Sequence, residues 1–121
     1  GLQVALLYFA AAVFGISILE AQNYFSHYGL RRKQRDNGTY ENVKAIHSWN
    51  SDHILGRILL FELTRHSDHH YMGAKPYQIL ESKEESPMLP YGYPAMLILS
   101  YFPFLFIPIM RKALKNQGFV S

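Results

Sequence analysis

Arg65-His66-Ser67-Asp68-His69-His70 places three imidazoles at i, i+3 and i+4. On a helix each residue turns the chain by about 100°, so the three would share one face. Imidazoles on a common face can converge on one metal ion. Imidazole suits iron, copper, zinc and nickel, so the spacing alone leaves the metal open. A lone helical histidine is usually a partly exposed polar residue, whereas a triplet argues for a metal role. Glu62 lies one turn before His66 and could orient a ligand histidine or bind metal itself. A salt bridge with Arg65 or His66 is the plainer reading of Glu62 and the preferred one. Asp68, inside the triplet, is a further candidate for holding a ligand histidine in place.

The pattern predicts that residues 51–72 form one helix bearing this triplet. Ser51 or Asp52 can cap its start, Gly73 can end it in the left-handed conformation, and Pro76 follows. Ile54, Leu55, Ile58, Leu59, Leu60, Phe61 and Leu63 would pack an apolar stem, with the histidines on the last turns. Leu55 and Leu59 lie on the face leading to His66 and are candidates for lining a substrate pocket, with ordinary helix packing as the competing reading. His53 precedes His66 by thirteen residues, which leaves it about 140° away around a regular helix. His47 precedes the helix altogether. Both read as polar packing or loop residues, not ligands.

A second patch lies upstream, in Asn23-Tyr24-Phe25-Ser26-His27-Tyr28-Gly29-Leu30. His27 alone would be a capping or core histidine. Beside a metal cluster it becomes a candidate ligand. Glu20, Asn23 and His27 are spaced by three and four and share a helical face. Glu20 ends an apolar run, where an acid at membrane depth is costly and often functional.

Two apolar blocks must position these groups. Leu2 to Leu19 is interrupted only by Gln3, Tyr8 and Ser17. It would reach about 27 Å, close to the thickness of the hydrocarbon layer. The residues 1–19 therefore read as a transmembrane helix, and there is no basic leader or small-residue cleavage site to suggest a signal peptide. The buried helix of a soluble protein is the alternative. The second block, 93–110, contains Pro94, Pro103 and Pro108, and proline kinks helices. Arg31, Arg32, Lys33 and Arg35 follow the first block, and Arg111, Lys112 and Lys115 follow the second. Basic flanks favour the cytoplasm. A single crossing would separate the two clusters, so 93–110 is expected to be a kinked interfacial segment that does not span. Asn37-Gly38 marks a turn and Lys83-Glu84-Glu85-Ser86-Pro87 a solvated loop.

The 121 residues make one domain or part of one. The chain has no cysteine, which excludes a disulfide framework, zinc–thiolate sites and iron–sulfur clusters. A net charge of +3, with basic residues beside the apolar blocks, suits anionic membrane lipid better than nucleic acid. No phosphate loop, dinucleotide fingerprint or internal repeat is present. The apolar block beginning at once after Gly1 suggests part of a longer protein.

Asn23-Tyr24, His27-Tyr28-Gly29-Leu30, His47-Ser48-Trp49-Asn50-Ser51 and Leu63-Thr64-Arg65-His66-Ser67-Asp68-His69-His70 together resemble the C-terminal part of the membrane alkane 1-monooxygenases. Pro76-Tyr77-Gln78 and Leu89-Pro90 to Tyr93-Pro94-Ala95-Met96 follow in the same order. The resemblance runs from Glu20 to Met110. The bare HxxHH pattern is shared with membrane desaturases and related hydroxylases. The motif around His27 separates the alkane hydroxylase branch from desaturases.

The resemblance implies an all-α integral membrane protein, multi-pass in the inner membrane, with its histidine-bearing helix on the cytoplasmic side. It implies two iron ions in a non-haem di-iron site, hydroxylation of the terminal methyl of an alkane with dioxygen, and electrons from rubredoxin and rubredoxin reductase. His66, His69 and His70 match the family's third histidine box, and His27 matches the histidine of its HYG motif. His47 and His53 match no ligand position. Ser26 stands where the family often has an acid, and Tyr71 and Met72 where smaller or more polar residues are common. The family's HxxxH and first HxxHH boxes have no counterpart here. The chain is therefore expected to be the C-terminal part of one di-iron hydroxylase domain that needs its N-terminal half to complete the centre. Other readings are an acyl-lipid desaturase, an aryl-methyl hydroxylase of the same superfamily, and a metal-binding or structural membrane protein without oxygen chemistry.

Overall fold

Leu2–His27 contains no proline and is rich in leucine and alanine, and it forms a single 26-residue helix, α1. The computed structural model describes residues 1–119. Helix α1 is long and apolar enough to cross a membrane, and its most apolar stretch has no buried residue. Its far end enters the protein: Phe25 and Ser26 are buried. The helix stops where Tyr28 turns to an extended ψ and Gly29 takes φ 75. A Cβ at Gly29 would also collide with the Leu114 side chain. Gly29→Ala is thus opposed twice, by backbone strain of about 1–3 kcal/mol and by the collision. We expect a lowered thermal midpoint in the full-length protein, only partly recovered by adding Leu114→Ala. An unchanged midpoint would show that this corner can relax.

The chain then crosses an exposed loop. Gly38, at φ 80, turns it back at Asn37-Gly38, and its N–H donates to the Arg35 carbonyl at 2.9 Å. A short 3-10 turn, Ala45–His47, leads into the buried run Ser48-Trp49-Asn50-Ser51. Trp49 is fully buried. Its indole N–H donates to the Tyr28 carbonyl at 2.8 Å, and its backbone N–H to the Ser26 carbonyl at 2.8 Å. This run is therefore sewn to the end of α1.

The histidine region departs from the single helix expected over 51–72. It forms two short helices, α2 (Ile54–Leu59) and α3 (His66–Tyr71). Between them Phe61 and Glu62 take φ 50 and 62, which non-glycine residues rarely adopt. The Glu62 carboxylate accepts from Arg57 Nε at 2.8 Å and Nη2 at 2.9 Å, a bidentate clasp across the turn. Neither Ser51 nor Asp52 caps α2, which starts after His53 without a side-chain cap. Gly73 does not adopt the left-handed conformation, and α3 ends at Tyr71 with Met72 as its cap. The apolar stem also fails to pack: Ile54, Leu55, Ile58, Leu59 and Phe61 are all exposed. The turn redirects the chain so that Thr64, His66, Ser67 and Asp68, not the stem, enter the interior.

The proline-rich block is broken as well. Helix α4 (Tyr93–Ser100) has a proline in its first turn, where no N–H is needed. The chain breaks at Tyr101-Phe102, and α5 (Pro103–Asn116) again begins on proline and runs past Met110. The core lies between the end of α1 and these two helices. Phe25, Trp49, Leu89, Tyr93, Met96, Phe106, Met110, Ala113 and Leu114 form it. The Phe25 and Tyr93 rings meet edge to face with centroids 5.0 Å apart. Among the described residues there is no strand, only isolated bridges pairing Gln34 with Tyr40 and Asn50 with Met88.

Candidate metal centre

His66 opens α3 because Asn50 holds that helix start. Asn50 is fully buried, and its Oδ1 accepts the Ser67 N–H at 2.9 Å. Its own backbone N–H donates to the Pro87 carbonyl and its carbonyl accepts from Leu89 N–H, both at 2.8 Å. Ser86 Oγ–H donates to Ser67 Oγ at 2.7 Å. One asparagine thus ties three segments together beside the histidines. Nothing in its local sequence reveals this, because every partner is distant along the chain.

Asp68 points away from the imidazoles into a basic clasp. Its carboxylate accepts from Lys75 Nζ at 2.6 Å and from the Glu81 N–H at 2.9 Å, with Lys83 Nζ 3.5 Å away. Burial would raise this carboxyl, but the lysines and the backbone donor outweigh it and hold it below its ordinary value. Asp68 therefore fastens α3 to the following loop. Glu62 pairs with Arg57 and stands 3.5 Å from Arg65 Nε, so it too is engaged in ion pairs. Glu20 and Asn23 lie exposed on α1.

His27, from the end of α1, meets α3. Its ring centroid lies 5.2 Å from that of His66 and 4.9 Å from that of His70. His27, His66 and His70 each offer a nitrogen within 4.8 Å of the others. His66 Nε2 and His70 Nε2 stand 2.9 Å apart. With metal–nitrogen bonds of about 2.1 Å, ligands at right angles sit about 3.0 Å apart, so this spacing fits two ligands of one cation. His69 stands aside, its ring 6.2 Å from His66 and 5.6 Å from His70, and does not join the three-nitrogen group. His53 is exposed against Gly92.

Electrostatics favour the neutral ligand form. Burial, reinforced by the imidazoles of His70, His27 and His69, pushes His66 down to about 3. His70 is shifted down by its partial desolvation and by His27 and His69. Both therefore present lone pairs at neutral pH, as metal ligation requires. The His27 tautomer is set as well. Its Nδ1 lies 3.0 Å from the His47 carbonyl. A carbonyl only accepts, so Nδ1 carries the proton and Nε2 is left free to bind. The donor set, three converging imidazoles with one orienting carbonyl, fits a transition metal.

An apolar cavity of about 130 Å³ lies between α1, α2 and α4, lined by Ile18, Phe25, Leu59, Leu60, Tyr93 and Leu97 among others. Leu59 borders it, while Leu55 is exposed and does not.

An apolar helix that delivers one imidazole to two others on a short helix has the ligand set of a histidine-bound metal protein. Comparison with known proteins is more specific. Residues 1–109 match the fatty acid desaturase family, and the chain belongs to it. It is 43% identical over 106 residues to alkane 1-monooxygenase 2 of Pseudomonas aeruginosa, covering 88% of this chain and 28% of that protein. It is 42% identical over 117 residues to alkane 1-monooxygenase 2 of Alcanivorax borkumensis, covering 97% of this chain and 30% of that one. A more distant relative is the xylene/toluene monooxygenase hydroxylase component XylM of Pseudomonas putida, 28% identical over 116 residues, covering 96% of this chain and 30% of its own. The chain thus spans less than a third of the length of these relatives.

Proposed function

We propose that this chain forms the C-terminal part of a membrane non-haem di-iron monooxygenase that hydroxylates the terminal methyl group of alkanes. The convergence of His27, His66 and His70 carries the reading, and the relatives named alkane 1-monooxygenase support it. His27, His66 and His70 would hold one iron, His69 would face a second, and the remaining ligands would come from the N-terminal half of the same protein. Iron bound there supplies activation of dioxygen for attack on an inert C–H bond. The residues of this chain orient and shield. The His47 carbonyl keeps the proton of His27 on Nδ1. Asn50 and Asp68 fix α3 from either side. The apolar surface of α1 and the cavity beside Leu59 suit a substrate drawn from the bilayer.

In this reading α1 spans the inner membrane, and the bend at Tyr101-Phe102 returns α5 to the cytoplasmic side with Arg111, Lys112 and Lys115. An open cleft of about 670 Å³ beside His27 is edged by Arg31, Arg111 and Lys115. Its charge would suit an acidic electron carrier, and rubredoxin with its reductase is the expected source of electrons. Hydroxylation of an aryl methyl group is the second reading, favoured by the relation to XylM. The test is a product assay on the full-length protein with rubredoxin and its reductase, offered an n-alkane, p-xylene and an acyl lipid, with iron measured in parallel. The expected product is the primary alkanol with two irons per chain. Benzylic alcohol alone would favour the second reading, and a new double bond in the acyl chain would defeat both.

A further inference from the structure

His47 is buried, yet it contributes no nitrogen to the group formed by His27, His66 and His70. Its ring is used inward. Nδ1 accepts the Lys44 N–H at 3.0 Å, while the His47 N–H donates to the Lys44 carbonyl at 3.0 Å. These two bonds close the Ala45–His47 turn from both directions. Because Nδ1 accepts, the ring proton sits on Nε2. Glu41 Oε1 stands 3.3 Å from that nitrogen, close enough for attraction but without the alignment of a full hydrogen bond. Glu41 is itself anchored, accepting from Lys44 Nζ at 2.7 Å and from the Lys33 N–H at 2.9 Å. The turn so closed presents the His47 carbonyl to His27 Nδ1, with Ser48 Oγ 3.3 Å from the same nitrogen.

We propose that His47 is a positioning residue: its imidazole locks the turn whose backbone carbonyl sets the tautomer and direction of the metal-binding His27. The inference rests on the metal-centre reading above. It gives a role to a histidine outside the three-nitrogen group. The carbonyl belongs to the backbone and survives any substitution, so the side chain acts by fixing where that carbonyl points. Without the Lys44 N–H bond the turn keeps one closing bond instead of two. His27 can then rotate or exchange its tautomer, and Nε2 is no longer held toward His66 and His70. Groups that orient a ligand histidine are worth about 10–100-fold in metal affinity or activity.

The experiment uses the full-length protein, purified in detergent and loaded with iron. Iron per folded, monodisperse protein is measured, together with the rate of iron loss to a ferrous chelator and the Mössbauer spectrum. His47→Phe keeps a flat ring but removes the acceptor. It should release iron about 10–100-fold faster and alter the spectrum. His47→Asn places an oxygen where Nδ1 sits, accepts the Lys44 N–H again, and should restore most of the retention. A ring that merely fills space would give the opposite order, with phenylalanine retaining iron better than asparagine. That order, or wild-type retention and spectrum in His47→Phe, overturns the proposal. Should His47→Phe yield no folded protein, Glu41→Ala at the rim of the loop takes its place. It should speed iron loss severalfold while His47→Asn stays near wild type, and a wild-type rate in Glu41→Ala overturns the proposal. Wild-type protein that binds no metal would instead overturn the centre itself, so the two failures are distinguishable.

Discussion

Full-length protein carrying His66→Ala is expected to lose its iron and its hydroxylation together. His66 is the most buried of the three converging histidines, and its Nε2 is 2.9 Å from that of His70. Removing it takes away a ligand and leaves a pocket lined by imidazoles that water can enter. Outer groups that only orient ligands cost about 10–100-fold in affinity, so loss of a direct ligand should exceed about 100-fold. His69→Ala should also abolish hydroxylation, but with about half of the iron retained, because its ring lies outside the three-nitrogen group. His53→Ala should leave iron and activity near wild type, since that side chain is exposed. Iron analysis and alkanol formation at matched folded protein give the ranking. Normal iron in His66→Ala would end the metal-centre reading. Complete iron loss in His69→Ala would mean that the two metals are bound cooperatively.

The local patterns in the sequence were legible where they needed only neighbours. The long run without proline or charge reads as a helix, and α1 is one. Three prolines foretell a broken second block, and the chain does break at Tyr101-Phe102. Spacing of i, i+3 and i+4 puts His66, His69 and His70 together on α3, although the ring directions separate His69 from the other two. What stayed hidden depends on distant partners. Phe61 and Glu62 carry no turn signature, and their positive φ values are held by the Arg57–Glu62 clasp and by Asn50 on Ser67. A pattern-based reading extends the helix through them because leucine and phenylalanine continue the apolar periodicity. The same periodicity predicts packing for Ile54, Leu55 and Ile58, whose side chains are exposed once the chain turns. The sequence around His47 suggests only polar packing, and the structure shows its carbonyl on His27.

Trp49→Ala should be the most destabilising single change in the core. Trp49 is fully buried among the residues that join α1 to α4 and α5. Truncating such a ring costs about 3–5 kcal/mol from lost burial and the cavity left behind. The Tyr28 carbonyl also loses the indole donor it has at 2.8 Å, at a further cost of about 1 kcal/mol. The loss reaches the metal centre through a short path. Trp49 follows Ser48 and His47, which contact His27, and precedes Asn50, which holds Ser67 next to His66. Loosening Trp49 therefore frees both walls of the histidine cluster at once. The expected result is a large drop in thermal midpoint together with weakened iron retention. Trp49→Phe keeps part of the buried ring but lacks the indole N–H, so it should lie between wild type and alanine in both. Thermal unfolding and chelator competition on the full-length protein provide the two measurements. A Trp49→Ala protein with a normal midpoint would mean that the core redistributes without it. A lowered midpoint with unchanged iron retention at low temperature would mean that the centre is held independently of this ring, by α3 and α1 alone.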